Sequence, residues 1–119
     1  MAVTLTKQSS PLGSNLVRDS TCGDVQENVT GTSGVLYSIE INNEGSQDVY
    51  FKLANASSAT IGSTAATIVI YVPATKRRSI VFPKGITFSV GFTHWCTTGA
   101  AEASTTTASS KPDVYYVTS

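Results

Sequence analysis

The stretch GVLYSIEINNEGSQDVYFKLANA, Gly34 to Ala56, decides the fold class. In its first half Val35, Tyr37, Ile39 and Ile41 share one parity while Ser38, Glu40 and Asn42 share the other, the period of two that marks a half-buried strand. In its second half Val49, Phe51 and Leu53 repeat the pattern, with Tyr50 and Lys52 expected outward. The residues between, Asn43 to Asp48, are turn formers, so the two runs are expected to pair as an antiparallel hairpin. A second hairpin is expected where RRSIVF and ITFSVGF flank Pro83-Lys84-Gly85. There Pro presets the first turn position, Gly tolerates the left-handed conformation, and Ile86, Phe88, Val90 and Phe92 would share a face.

Further strands are expected at Val3 to Lys7, around Leu16 to Asp19, at Thr67 to Val72 and at Val114 to Thr118, about eight in all. No segment repeats apolar residues at helical spacing between caps. The expectation is an all-β, antiparallel two-sheet β-sandwich of jelly-roll type, formed by residues 1–119 as one domain with an N-terminal arm over 1–15. The run from Thr97 to Lys111, TTGAAEASTTTASSK, lacks large apolar side chains to dock it and reads as a mobile loop. An immunoglobulin-type sandwich is the near rival, but Trp95 directly precedes Cys96 instead of lying between two cysteines in chain order. Phe51, Leu53, Ile39, Ile41, Phe88, Val90, Ile70 and Ile80 are the expected core.

Charged residues make up only 13% of the 119, about half the usual share, whereas 16 Ser and 17 Thr are present, so the surface is expected to be rich in hydroxyls. Eight basic residues balance eight acidic ones, which gives no long-range field toward nucleic acid or an anionic bilayer. The only basic cluster is Lys76-Arg77-Arg78, readable as a solvated strand edge or as a contact for an acidic partner. The first residues carry neither a basic segment nor an apolar run of signal-peptide length, and no window reaches the length of a membrane span, so the chain reads as one made and kept soluble. Cys22 and Cys96 are the only cysteines and free thiols are the expectation. Were they to pair, the closed loop of about 75 residues would contribute about 4 kcal/mol in the chain-entropy model.

Chemistry has few candidates. His94 is the only histidine, two positions from Cys96, so the two would share a strand face as a conceivable dyad. Yet no third partner or oxyanion hole is marked, and no enzyme is expected. Zinc would need ligands that the sequence separates widely, since Cys22 is far from His94 and Cys96. Asp19, Asp24 and Glu27 lie in RDSTCGDVQEN but fit no calcium-loop spacing. No phosphate-cradling glycine pattern occurs, and Tyr50 with Lys52 is the only exposed aromatic and cation pairing expected. No cofactor or metal is therefore expected.

The block from Gly34 to Phe92, about half of the chain, has a distinctive cadence: a strand ending in Asn, then VYFKLANA, ATIGSTAAT, an apolar strand, a Pro turn and PKGITFSVG. It resembles small virion proteins of marine tailed phages, in particular cyanophage-type head decoration or cement proteins and tail accessory proteins. The resemblance implies a non-catalytic β-sandwich of the virion that decorates the outer surface of the capsid. Its implied partners are the major capsid protein and further copies of itself, as a trimer. Interface candidates are the arm 1–15, Lys76, Arg77, Arg78 and Trp95. The alternative is a carbohydrate- or receptor-binding module of a phage tail or fibre, for which Tyr50, Tyr71, Trp95 and Tyr115 are the candidate sugar platform.

Overall fold

A computed structural model describes residues 3–7 and 14–119, and in it the two halves of the opening stretch form strands that lie in different sheets. The strands are β1 (Val3–Lys7), β2 (Asn15–Asp19), β3 (Gly34–Asn42), β4 (Val49–Asn55), β5 (Ile68–Val72), β6 (Arg77–Phe88), β7 (Phe92–Thr97) and β8 (Asp113–Thr118). One sheet has the order β1-β2-β8-β3-β6 and the other β5-β4-β7, with every pairing antiparallel. Among the described residues no helix forms. The expected two-sheet β-sandwich is the observed architecture.

The connectivity is that of one long hairpin wrapped around itself. Its tip is the β4–β5 pair, and moving outward β3 pairs with β6 and β2 with β8. Between these, Gln26 forms a two-bond bridge with His94 of β7, a vestigial strand beside the smaller sheet. The chain thus passes from sheet to sheet as in a jelly roll, which sets it apart from the immunoglobulin type.

The first expected hairpin is therefore a crossover. Asn43, 1% exposed, holds the corner. Its Nδ2 donates to the carbonyl of Gln47 at 2.8 Å and that of Pro73 at 3.1 Å, and its Oδ1 accepts from the Gly45 N–H at 3.1 Å. Fastened to the β5–β6 connection in this way, the turn carries β4 across to the second sheet. The second expected hairpin is also absent. β6 runs on through Pro83, and both of its halves pair with β3: Leu36 faces Ile86, but Ser38 faces Val81, so Phe82 to Gly85 bulge out opposite the single residue Tyr37. β6 is an edge strand, where a proline in a bulge costs no ladder hydrogen bond. Gly85 takes φ +73°, and a Cβ there would run into Val35.

The bulge also moves the faces. Leu36, Ile39 and Ile41 are buried, while Val35 and Tyr37 are only half-buried. Between the sheets these residues meet Val17, Phe88, Val114 and Tyr116 from their own sheet and Val49, Phe51, Leu53, Ile70, Val72, Phe92 and Cys96 from the sheet or loop side opposite. Of the expected core, Phe51, Leu53, Ile39, Ile41, Phe88 and Ile70 are buried and Ile80 is half-buried against them. Val90 is 54% exposed, because β6 ends at Phe88 and the turn from Ser89 to Gly91 breaks the alternation.

Lys52, expected outward in solvent, is 2% exposed. The segment following β7 closes over it, and its Nζ donates to the Ala101 carbonyl at 2.8 Å. The expected loop over 97–111 is thus docked by hydrogen bonds instead of large side chains. Thr97 belongs to β7, the Thr98 N–H bonds the Thr106 carbonyl at 2.8 Å, and the Ser109 N–H bonds Gln47 Oε1 at 2.9 Å. Of the expected arm, Val3–Lys7 is an edge strand on β2, and residues 1, 2 and 8–13 lie outside the described residues.

Candidate functional site

The chemistry-bearing side chains converge inside the sandwich. On β7 the alternation turns Phe92, His94 and Cys96 toward the larger sheet, so the expected shared face of His94 and Cys96 is observed. From the larger sheet, β2 sends Asp19 inward on the parity of Val17, and β8 sends Tyr116 inward on the parity of Val114. His94 Nε2 lies 2.9 Å from Asp19 Oδ2, and Nδ1 lies 2.7 Å from the Tyr116 hydroxyl. One proton arrangement satisfies every partner: Nε2–H donates to the carboxylate and the tyrosine O–H donates to Nδ1. Asp19 Oδ1 also accepts the Thr21 N–H at 3.2 Å. Asp19 and His94 have no exposed surface and Tyr116 is 1% exposed.

Immediately beside this triad Cys22 meets Cys96, with the two sulfurs 2.7 Å apart and both side chains buried. The turn after β2 brings Cys22 in, held by its N–H on the Pro112 carbonyl at 3.0 Å and by the Cys96 N–H on the Gly23 carbonyl at 3.1 Å. Sequence distance was thus a poor guide to Cys22, whose sulfur, an Asp19 oxygen and a His94 nitrogen lie within 4.8 Å of one another.

Burial governs the acidity of the groups. It pushes the Cys22 thiol well above its ordinary value, aided by the hydrogen bond with Cys96 and by the charges of Cys96 and Asp19. It likewise pushes the Tyr116 hydroxyl well up, with the nearby Cys22 and Asp19 adding to the effect. A thiol so placed is a poor nucleophile. No Cys–His dyad exists, since both ring nitrogens of His94 are engaged by Asp19 and Tyr116 and Cys96 bonds Cys22. A metal ion fits poorly for the same reason. His94 offers no free lone pair, and among the described residues no buried polar side-chain atom lacks a partner. Asp19, Asp24 and Glu27, which fit no calcium-loop spacing in sequence, do not converge either: Asp19 is internal, Glu27 accepts the Ala59 N–H at 3.0 Å, and Asp24 is exposed.

The remaining candidates lie on the outside, apart from one. Trp95 is 1% exposed and offers no surface to a sugar or a partner. Lys76, Arg77 and Arg78 are exposed at the start of edge strand β6. Arg77 pairs with Glu40 at 3.2 Å, and Arg78 donates to the Tyr71 carbonyl at 3.2 Å. On the outer face of the larger sheet the Arg18 guanidinium lies 5.1 Å over the Tyr115 ring and pairs with Asp113 at 2.9 Å. Tyr115, Glu40 and Arg77 border a shallow hollow of about 260 Å³. On the outer face of the smaller sheet Tyr50 and Tyr71 sit with ring centres 5.1 Å apart, the Tyr71 hydroxyl donating to Asp48 at 3.0 Å.

Sequence reasoning missed Asp19 and Tyr116 as partners of His94. The available signal was parity, since Asp19 shares the inward parity of Val17 on β2 and Tyr116 that of Val114 on β8. No protein-family model, no curated protein and no solved structure matches this chain.

Proposed function

We propose that this protein is a non-catalytic virion component that binds the outer surface of an assembled phage capsid as a homo-oligomer, a trimer, and reinforces the shell. The observation that carries the proposal is the inward turning of the chemical side chains: Asp19, His94, Cys22, Cys96 and Tyr116 saturate one another within the core. What the chain offers to its surroundings is shape, hydroxyls, few charges and scattered apolar side chains such as Val81 and Val90. A surface poor in charge lowers the desolvation cost of a broad contact. The cadence of Gly34 to Phe92 supports the same reading, and so, as an analogy of fold alone, does the jelly-roll connectivity, which viral capsid domains share with lectins. The interface would draw on the exposed corner at Lys76, Arg77 and Arg78 and on edge strand β1. Many copies that bind only the assembled shell stabilise it by mass action.

The test mixes purified protein with expanded capsids that lack it and measures co-sedimentation and thermal disruption of the shells. Binding with a raised disruption temperature supports the proposal; no co-sedimentation refutes it. The pair of exposed Tyr71 and half-buried Tyr50 beside Asp48 favours the second reading, a glycan-binding module of the tail, because stacked sugar faces need such a platform. Under that reading a glycan array gives binding that Tyr71→Ala abolishes.

A further inference from the structure

We propose that Cys22 and Cys96 are a disulfide-forming pair, a redox site that staples the turn after β2 to β7 when the protein meets a small-molecule disulfide such as oxidised glutathione. The inference is independent of the virion reading.

The sulfur separation is near that of the bond. The sulfurs lie 2.7 Å apart, about 0.7 Å beyond a covalent S–S distance, so only a small side-chain adjustment separates the dithiol from the disulfide. The backbones on both sides are already fixed relative to each other. Cys96 N–H bonds the Gly23 carbonyl, the Cys22 N–H bonds the Pro112 carbonyl, and Gln26 exchanges two backbone hydrogen bonds with His94. No rival pairing competes, because these are the only two cysteines in the chain. A bound cation is the alternative use of adjacent thiols, and His94, committed to Asp19 and Tyr116, leaves it too few donors.

The chemistry balances as two exchanges. One cysteine thiolate attacks glutathione disulfide, forming a mixed disulfide and releasing the first glutathione. The second cysteine sulfur then attacks the protein-bound sulfur, forming Sγ–Sγ and releasing the second glutathione. The two cysteine protons end on the two released thiols, glutathione disulfide is reduced and the cysteines are oxidised. Burial also sets the rate. With Cys22 1% and Cys96 2% exposed, exchange in the native protein waits for the turn around Cys22 to lift, whereas during folding both thiols are accessible. The staple joins residues 74 positions apart, so the unfolded chain loses much of its freedom when it forms.

The test compares full-length protein refolded with a glutathione redox buffer and the same protein kept in a phosphine reductant. After acid quenching, denaturation and iodoacetamide, the oxidised sample is expected to weigh two hydrogens less than the unmodified dithiol chain, with neither cysteine alkylated, whereas the reduced sample carries two carbamidomethyl groups. Its melting temperature is expected to exceed that of the reduced sample by on the order of 10 °C. The variant Cys22→Ala/Cys96→Ala is expected to melt at one temperature in both buffers; should it fail to fold, the wild-type comparison still decides. Two alkylated cysteines in the oxidised sample, glutathione adducts on both, or a native-mass metal adduct removed by a chelator would each overturn the proposal.

Discussion

Replacing Tyr116 by Phe removes one oxygen and leaves the packing in place. The ring keeps its neighbours Phe51, Phe92 and His94 at centroid distances of 6.1, 6.3 and 5.4 Å. What goes is the donor to His94 Nδ1, held at 2.7 Å in a region with no solvent access. Shifting the ring proton cannot repair this, because Nε2 must keep its hydrogen for Asp19. A buried acceptor without a partner costs about 1–3 kcal/mol. For 119 residues, at about 2.1 cal/mol/K of unfolding entropy per residue, each kcal/mol is worth about 4 °C, so the melting temperature should fall by about 4–12 °C. The neighbouring Tyr115 lies on the outer face of the same strand, and Tyr115→Phe should stay within about 0.5 kcal/mol of wild type. Urea unfolding at pH 7 measures both. If Tyr116→Phe also falls within about 0.5 kcal/mol, water reaches Nδ1 and the sealed network is wrong.

Phe88→Ala should cost about 3–5 kcal/mol in urea unfolding, since Phe88 is fully buried and stacked on Phe92 at 4.7 Å, whereas Val90→Ala should be nearly neutral. Gly85→Ala should cost about 1–3 kcal/mol, because it combines φ +73° with a clash against Val35; a neutral result would mean that the bulge relaxes freely. Alkaline stability should fall in reductant. Burial raises the Cys22 thiol above 9.0 and the Tyr116 hydroxyl above 10.0, so above those values the unfolded chain ionises first and the native state holds more protons. The contribution is fully present below the unfolded values and is lost as pH rises toward the folded ones, by up to about 1.4 kcal/mol per pH unit for each group. Burial lowers the Lys52 ammonium and acts in the opposite sense, but it cancels when wild type and Tyr116→Phe are compared. The variant should therefore show a shallower decline above pH 10.

Strands were legible because alternation is a property of one segment. Ile39, Ile41, Phe51 and Leu53 announce their inward face whatever pairs beside them. Partners were not legible, because the Asn43–Asp48 turn residues suit a crossover as well as a hairpin. What distinguishes the two is the bond from Asn43 to the carbonyl of Pro73, 30 positions away. Pro83-Lys84-Gly85 failed in a related way, since a bulge on an edge strand and a reversing loop use the same residue types. Lys52 was misplaced because its cover comes from the Ala101 region rather than from the sheet. The site was half legible: the spacing of His94 and Cys96 gave their common face, but Asp19 and Cys22 are 75 and 74 positions away from them.

That separation explains where the cluster sits. In the wrapped hairpin the inner strands are tied by short connections, residues 43–48 between β3 and β4 and residues 73–76 between β5 and β6, whereas β2, β8 and the Gln26 bridge belong to the open end, where no short turn joins β2 to β3 or β7 to β8. Apolar packing is nondirectional and tolerates sliding of one sheet over the other with little change in buried area. Hydrogen bonds do not. Asp19 and Tyr116 reach His94 from two adjacent strands of one sheet, at 2.9 and 2.7 Å, and a displacement of one residue along either strand would turn the polar group outward and strand the imidazole. The buried His94 bonds thus lie at the end of the sandwich that chain connectivity leaves loosest, and the sulfur contact between Cys22 and Cys96 lies beside them.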